Sequence, residues 1–111
     1  MKRMTLSTLA LVPVLALVCT PAFAAEPVSA GERLAATCTA CHGTRGNTAG
    51  TALPPLAGQS KETLLANLKA FKEGSRPATI MTQLAKGYTD EQLAQIAAWF
   101  AAQRGEKGEK P

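Results

Sequence analysis

The spacing of apolar positions along the chain predicts helices and no strands. Ser29 with Glu32 makes a capping-box pattern that opens a first helix. That helix runs through Leu34 into Cys38-Thr39-Ala40-Cys41-His42 and stops at Gly43. Thr44 to Leu53 is rich in Gly, Thr and Asn without an apolar period and reads as a loop, which Pro54-Pro55 extends. Ser60 starts a second helix, with Leu64, Leu65, Leu68 and Phe71 at helical spacing and Gly74 as its stop. After Pro77, a short helical piece is expected from Thr79 to Lys86, closed by Gly87. Thr89 with Gln92 forms another capping box, and Leu93, Ile96, Ala97 and Phe100 give a C-terminal helix one apolar stripe, ended by Gly105. The resulting fold class is a small all-α domain.

The two ends break this pattern. Residues 1–24 open with Lys2 and Arg3, continue through the apolar run Leu9 to Val18 and close on Ala22-Phe23-Ala24, the layout of a secretory signal peptide cut before Ala25. The apolar run is too short to span a bilayer and contains Pro13, which argues against a retained anchor. A lipid anchor on Cys19 would put the large Val18 where such sites carry a small residue, so Cys19 is expected to leave with the leader. Residues 25–104 then form the folded domain, and 105–111 a polar tail too poor in apolar residues to order itself. The implied location is periplasmic, with no stable membrane insertion after cleavage.

Charge and composition refine this picture. Lys2 and Arg3 leave with the leader while all eight acids remain, so the formal charge falls from +4 to +2. No Lys/Arg cluster with interleaved aromatics marks a nucleic-acid partner. A mildly positive face would instead steer docking to an acidic protein. The apolar content leans on alanine, which buries little area, and a domain of this size has a marginal core of its own. A large flat cofactor at the centre of the core would meet that shortage. Without it, the chain is expected to be largely unfolded.

The chemistry sits at Cys38-Thr39-Ala40-Cys41-His42. Two thiols three residues apart, followed at once by an imidazole, form the pattern for covalent attachment of a c-type haem. On a helix the positions i, i+3 and i+4 share a face, so both thiols can add to haem vinyl groups while His42 points at the iron. Three rival readings compete. A zinc knuckle lacks a second ligand pair, since Cys19 is the only other cysteine and His42 the only histidine. A thioredoxin-like dithiol wants a βαβ pattern, and none is present. A disulfide between Cys38 and Cys41 would be sterically tight and would leave His42 without a role. No internal repeat is visible, so one haem is expected.

For the sixth ligand of that iron, the segment after the leader offers one methionine, Met81, and no second histidine. Met81 lies 39 residues after His42, beyond a helix, a sensible reach to the opposite haem face. The competing reading is core filler, the usual employment of methionine near helices. His/Met coordination would close the iron to small molecules and leave electron transfer as its work.

Ala30 to Gly46 with the CTACH motif, Leu53-Pro54-Pro55-Leu56-Ala57-Gly58-Gln59, Ile80-Met81, and Tyr88-Thr89-Asp90-Glu91-Gln92-Leu93 together resemble a class I c-type cytochrome. Pro77-Ala78-Thr79-Ile80-Met81 followed by Ala85-Lys86-Gly87-Tyr88 is most similar to the cytochrome subunit of flavocytochrome c sulfide dehydrogenase, and the halves of tandem dihaem cytochromes are also similar. The resemblance implies that the Pro54 carbonyl accepts a hydrogen bond from His42 Nδ1, that Leu56 and Leu68 pack on the haem faces, and that Gly31 lets the first helix approach the last. It further implies that Arg45 and Arg76 pair with haem propionates, against an equal claim for both as solvated surface residues.

The function that follows is single-electron transfer in the periplasm, with a flavoprotein subunit that oxidises sulfide as the suspected partner. No paired carboxylates or Ser/His/Asp set point to catalysis by this chain. A free diffusible carrier serving other redox proteins is the alternative. A haem enzyme or gas sensor would require an open iron, and therefore an unligated Met81.

Overall fold

The computed structural model describes residues 25–105. The expected leader and residues 106–111 of the polar tail lie outside the described residues.

Four α-helices follow one another with no strand among the described residues: α1 (Ala30–His42), α2 (Lys61–Glu73), α3 (Met81–Lys86) and α4 (Asp90–Ala101). Local signals fix most of their ends. Ser29 Oγ accepts from the Glu32 N–H, Ser60 Oγ accepts from the Thr63 N–H, and Gly74 closes α2 in the left-handed region. Thr89 and Gln92 form the full reciprocal box at the start of α4. Each such bond satisfies a helix-end donor that has no partner within the helix.

Three expectations change. Residues 44–53 are not all irregular, because Thr44–Gly46 forms a 3₁₀ turn with Arg45 at φ 56°. Helix α3 starts at Met81 rather than Thr79, with Ile80 as its cap and no side-chain bond there. The chain remains outside the helix through Thr79, which brings Met81 in as the first helical residue. Helix α4 stops at Ala101, four residues short of Gly105. The Phe100 carbonyl is taken by the Gly58 and Gln103 N–H groups, and the Trp99 carbonyl accepts from the Gln103 side chain, so the last turn is satisfied without continuing the helix.

Helix α4 is the centre of packing. Its stripe Leu93, Ile96, Ala97 and Phe100 is buried, and Ala35 of α1 and Leu64 of α2 complete the core. α1 and α2 both pack against α4, and α3 rests on α2. Close approach of α1 to α4 depends on Gly31, where a Cβ would stand 2.8 Å from the Gln95 carbonyl oxygen and 3.2 Å from Trp99 Cβ. This packing leaves the inner faces of α1, α2 and α3 converging on a common space.

Candidate functional site

That space is a cavity of about 460 Å³, walled by the end of α1, the Leu53–Leu56 loop, α2, the approach to α3, and α4. Its size falls within the ~300–1,000 Å³ usual for cofactor pockets. Cys38, Cys41 and His42 line one part of it, placed together by the last turn of α1. Both thiols are free, so the disulfide weighed for this pair is not formed. Burial pushes the Cys38 thiol pKa up, and the neighbouring Cys41 adds to the rise. Among the described residues, no three His, Cys, Asp or Glu side chains are disposed to share a metal ion.

His42 is buried, and its Nδ1 lies 2.9 Å from the Pro54 carbonyl oxygen. A carbonyl can only accept, so Nδ1 carries the proton and donates, leaving the lone pair on Nε2. The loop presenting Pro54 is itself pinned. The Gly46 carbonyl accepts from the Leu56 N–H at 2.8 Å and the Ala57 N–H at 3.2 Å, and the Gln59 side chain donates to the Pro55 carbonyl. Gly46 is buried at φ +81°, and a Cβ there would meet Phe100 Cδ1 at 2.8 Å and the Ala57 nitrogen at 2.9 Å. Only glycine fits, and through it α4 holds the loop that holds the histidine.

Leu64, Leu68 and Phe71 of α2 and Leu56 of the loop supply apolar wall, and Met81 lines the same cavity from the start of α3. The structure thus brings Cys38, Cys41, His42, Pro54, Leu56 and Met81 around one space. Arg76 joins them. Arg45, paired with it in expectation, does not: it is exposed on the 3₁₀ turn, away from the lining. Sequence reasoning missed Asn67, Gln59 and Thr37, polar residues of the wall, and the pinning role of Gly46. Asn67 carried a signal in principle, being the polar position between Leu64 and Leu68 on an otherwise apolar face. Gly46 carried none, because the groups that bond to its carbonyl and crowd its Cα are 10 or more residues away.

The donor set suits a covalently held haem. Two neighbouring thiols can form thioethers, an imidazole presents a free nitrogen lone pair, a thioether sulfur shares the cavity, and the walls between are apolar.

Known proteins give a consistent picture. The family described as Cytochrome c matches residues 28–103. The chain is 43% identical over 83 residues to cytochrome c4 of Pseudomonas aeruginosa, covering 75% of this chain and 41% of that protein. It is 42% identical over 82 residues to cytochrome c-554(548) of Halomonas halodenitrificans, covering 71% of this chain and 99% of the relative. It is 44% identical over 79 residues to the cytochrome subunit of sulfide dehydrogenase of Chlorobaculum tepidum, covering 69% and 71% respectively. The matched region thus spans less than half of the cytochrome c4 relative and nearly all of cytochrome c-554(548).

Proposed function

The chain belongs to the cytochrome c family, with covalent haem c as its cofactor and electron transfer as its function, and from that premise we propose that Cys38 and Cys41 would hold the haem through thioether bonds while His42 and Met81 would ligate its iron. The observation that carries this reading is the His42–Pro54 hydrogen bond beside a cavity that Met81 also lines. Bound haem supplies reversible one-electron storage at its iron. The chain's own residues do the rest. Pro54 fixes the imidazole ring and raises the basicity of Nε2. Leu56, Leu64, Leu68 and Phe71 exclude water from the faces of the site. Met81 would occupy the place where a small molecule could otherwise bind, so that the chain would relay electrons and make no bonds at the metal.

Replacing Met81 by Ala tests the assignment. The variant gains carbon monoxide binding in its reduced form and loses the near-infrared band of methionine-ligated ferric haem. A band unchanged from the parent would refute Met81 as ligand.

For the partner, the reading is the flavin-bearing subunit of a sulfide dehydrogenase in the periplasm. Its supports are the similarity to a cytochrome subunit of that name and the leader pattern over residues 1–24. The second reading is a free carrier, supported by the near-complete span of cytochrome c-554(548). Native purification separates them: co-elution with a flavin-bearing chain supports the subunit, and a monomer at physiological salt supports the carrier.

A further inference from the structure

Gly105, expected as the stop of the last helix, lies four residues beyond its end and meets a different element. Its backbone runs against Ala57 and Gly58: a Cβ at Gly105 would stand 3.0 Å from the Ala57 carbonyl oxygen, and one at Gly58 would stand 3.1 Å from the Gly105 nitrogen. One residue earlier, the Arg104 carbonyl accepts from the Asn47 side-chain amide at 3.3 Å. These two contacts lead to opposite ends of the hydrogen bond between His42 and Pro54. Asn47 lies directly behind the histidine, since a Cβ on Gly43, the residue after His42, would fall 1.7 Å from the Asn47 carbonyl oxygen. Ala57 closes the loop that presents Pro54, its N–H donating with that of Leu56 to the Gly46 carbonyl. Gly58 ties the same loop to α4, its N–H donating to the Phe100 carbonyl at 3.2 Å.

We propose that Arg104 and Gly105 form a strap that holds the donor and the acceptor of the His42–Pro54 hydrogen bond in place relative to each other, and that the strap thereby helps to set the electron affinity of an iron bound at His42. The inference rests on the reading of His42 as an iron ligand and adds to it a C-terminal segment which that reading does not use. The hydrogen bond raises the basicity of Nε2, and a more basic ligand favours the ferric state. Letting the two ends drift apart weakens this effect and favours the ferrous state. Arg104 and Gly105 act only through Asn47 and Ala57, so they are positioning residues. Position 105 calls for glycine because a side chain there presses on a backbone carbonyl, which cannot swing aside as a long side chain would.

The test compares the haem-loaded parent with Gly105→Val, Asn47→Ala, and a chain ending at Gly105, which keeps the strap. Neither substitution changes the charge, so a shift in potential reports the ligand and not a lost ion. Two quantities are read: solvent exchange of the His42 Nδ1 proton, by NMR of the reduced protein, and the midpoint of a redox titration. Both substitutions are expected to speed the exchange about tenfold or more and to move the redox equilibrium toward the reduced form on the order of threefold. The shortened chain is expected to match the parent in both. Variants that unfold earlier in denaturant yet keep the parent exchange rate and potential would overturn the proposal, because the strap would then be structural only. A move toward the oxidised form would overturn it as well. A proton that exchanges freely in the parent itself would defeat the Pro54–His42 reading and the strap with it, whereas one protected equally in the parent and both substitutions sinks the strap alone.

Discussion

At the scale of single residues, the site depends on a short relay of constraints. His42 is oriented by Pro54, and Pro54 is placed by a loop whose Leu56 and Ala57 N–H groups bond to Gly46, itself pressed against Phe100. Gly46→Ala therefore has two costs: a positive φ disfavoured for alanine, and contacts of 2.8–3.0 Å that force the loop or Phe100 to move. A loss of about 2–4 kcal/mol in the haem-loaded protein is expected from overpacking and strain together, measured by denaturant unfolding followed at the haem absorbance. An unchanged midpoint would show that the loop does not need this glycine. The CxxCH motif was legible because its chemistry is local: helical spacing alone puts its three side chains on one face. Met81, reached by elimination, lies in the cavity lining. Gly46 was not legible, since what makes it obligatory is an aromatic ring 54 residues away. Of Arg45 and Arg76 only the second lines the cavity, which composition alone could not show.

At the scale of elements, the starts of α1, α2 and α4 and the ends of α1, α2 and α3 were readable, while the start of α3 and the end of α4 were not. Ser29, Ser60 and Thr89 act through side-chain oxygens a few residues from their targets, so their signals lie within one turn of sequence. The end of α4 is set instead by the Gly58 and Gln103 N–H groups meeting the Phe100 carbonyl, and the first of these comes from a distant loop. Thr89→Ala removes the hydroxyl half of a reciprocal box and should cost about 1 kcal/mol, a fall in Tm of roughly 4–8 °C for a domain of this size. Gly31→Val should drive α1 away from α4 and cost about 1–3 kcal/mol, read as a lowered midpoint of denaturant unfolding of the haem-loaded protein followed at the haem absorbance; an unchanged midpoint would show that the close approach is not needed. An exposed ion pair also links α2 to α4. Lys72 Nζ donates to Asp90 Oδ1 at 2.8 Å and Lys69 lies at 3.7 Å, and the bond and charge of Lys72 hold the Asp90 carboxyl below its ordinary pKa. A lowered folded-state pKa gives stability that is present above the unfolded carboxylate value and disappears as pH falls through the folded one. Thermal melts of parent and Asp90→Asn should thus differ slightly at neutral pH and converge in acid. A gap that widened in acid would contradict the pairing.

At the scale of the whole molecule, the core is incomplete without what fills the cavity. The buried set is small, three of its six members being Leu93, Ile96 and Phe100 of one helix, and alanine makes up much of the remainder. Leaving about 460 Å³ unfilled would cost on the order of 11 kcal/mol at ~24 cal/mol per Å³ for a sealed cavity. Even roughly a third of that, as suits a cleft that water can enter, is a large share of the ~5–15 kcal/mol that stabilises a typical domain. Helices α2 and α3 pack on each other and also line the cavity with Leu68, Phe71 and Met81, so a bound group would add to the packing of both. The haem-free chain should therefore show little helical circular dichroism and no cooperative melt, and a sharp unfolding transition without haem would contradict this. The all-α class was legible in the apolar periodicity, while the shape of the cavity was not, because it arises where three helices fail to meet. The central claim is that one haem is bonded through Cys38 and Cys41, and the intact mass of the denatured chain, produced in a host able to attach haem c, tests it most directly. The result expected is the polypeptide mass plus one haem that survives denaturation and is lost in the Cys38→Ala, Cys41→Ala double variant; a denatured parent chain at the bare polypeptide mass would contradict it.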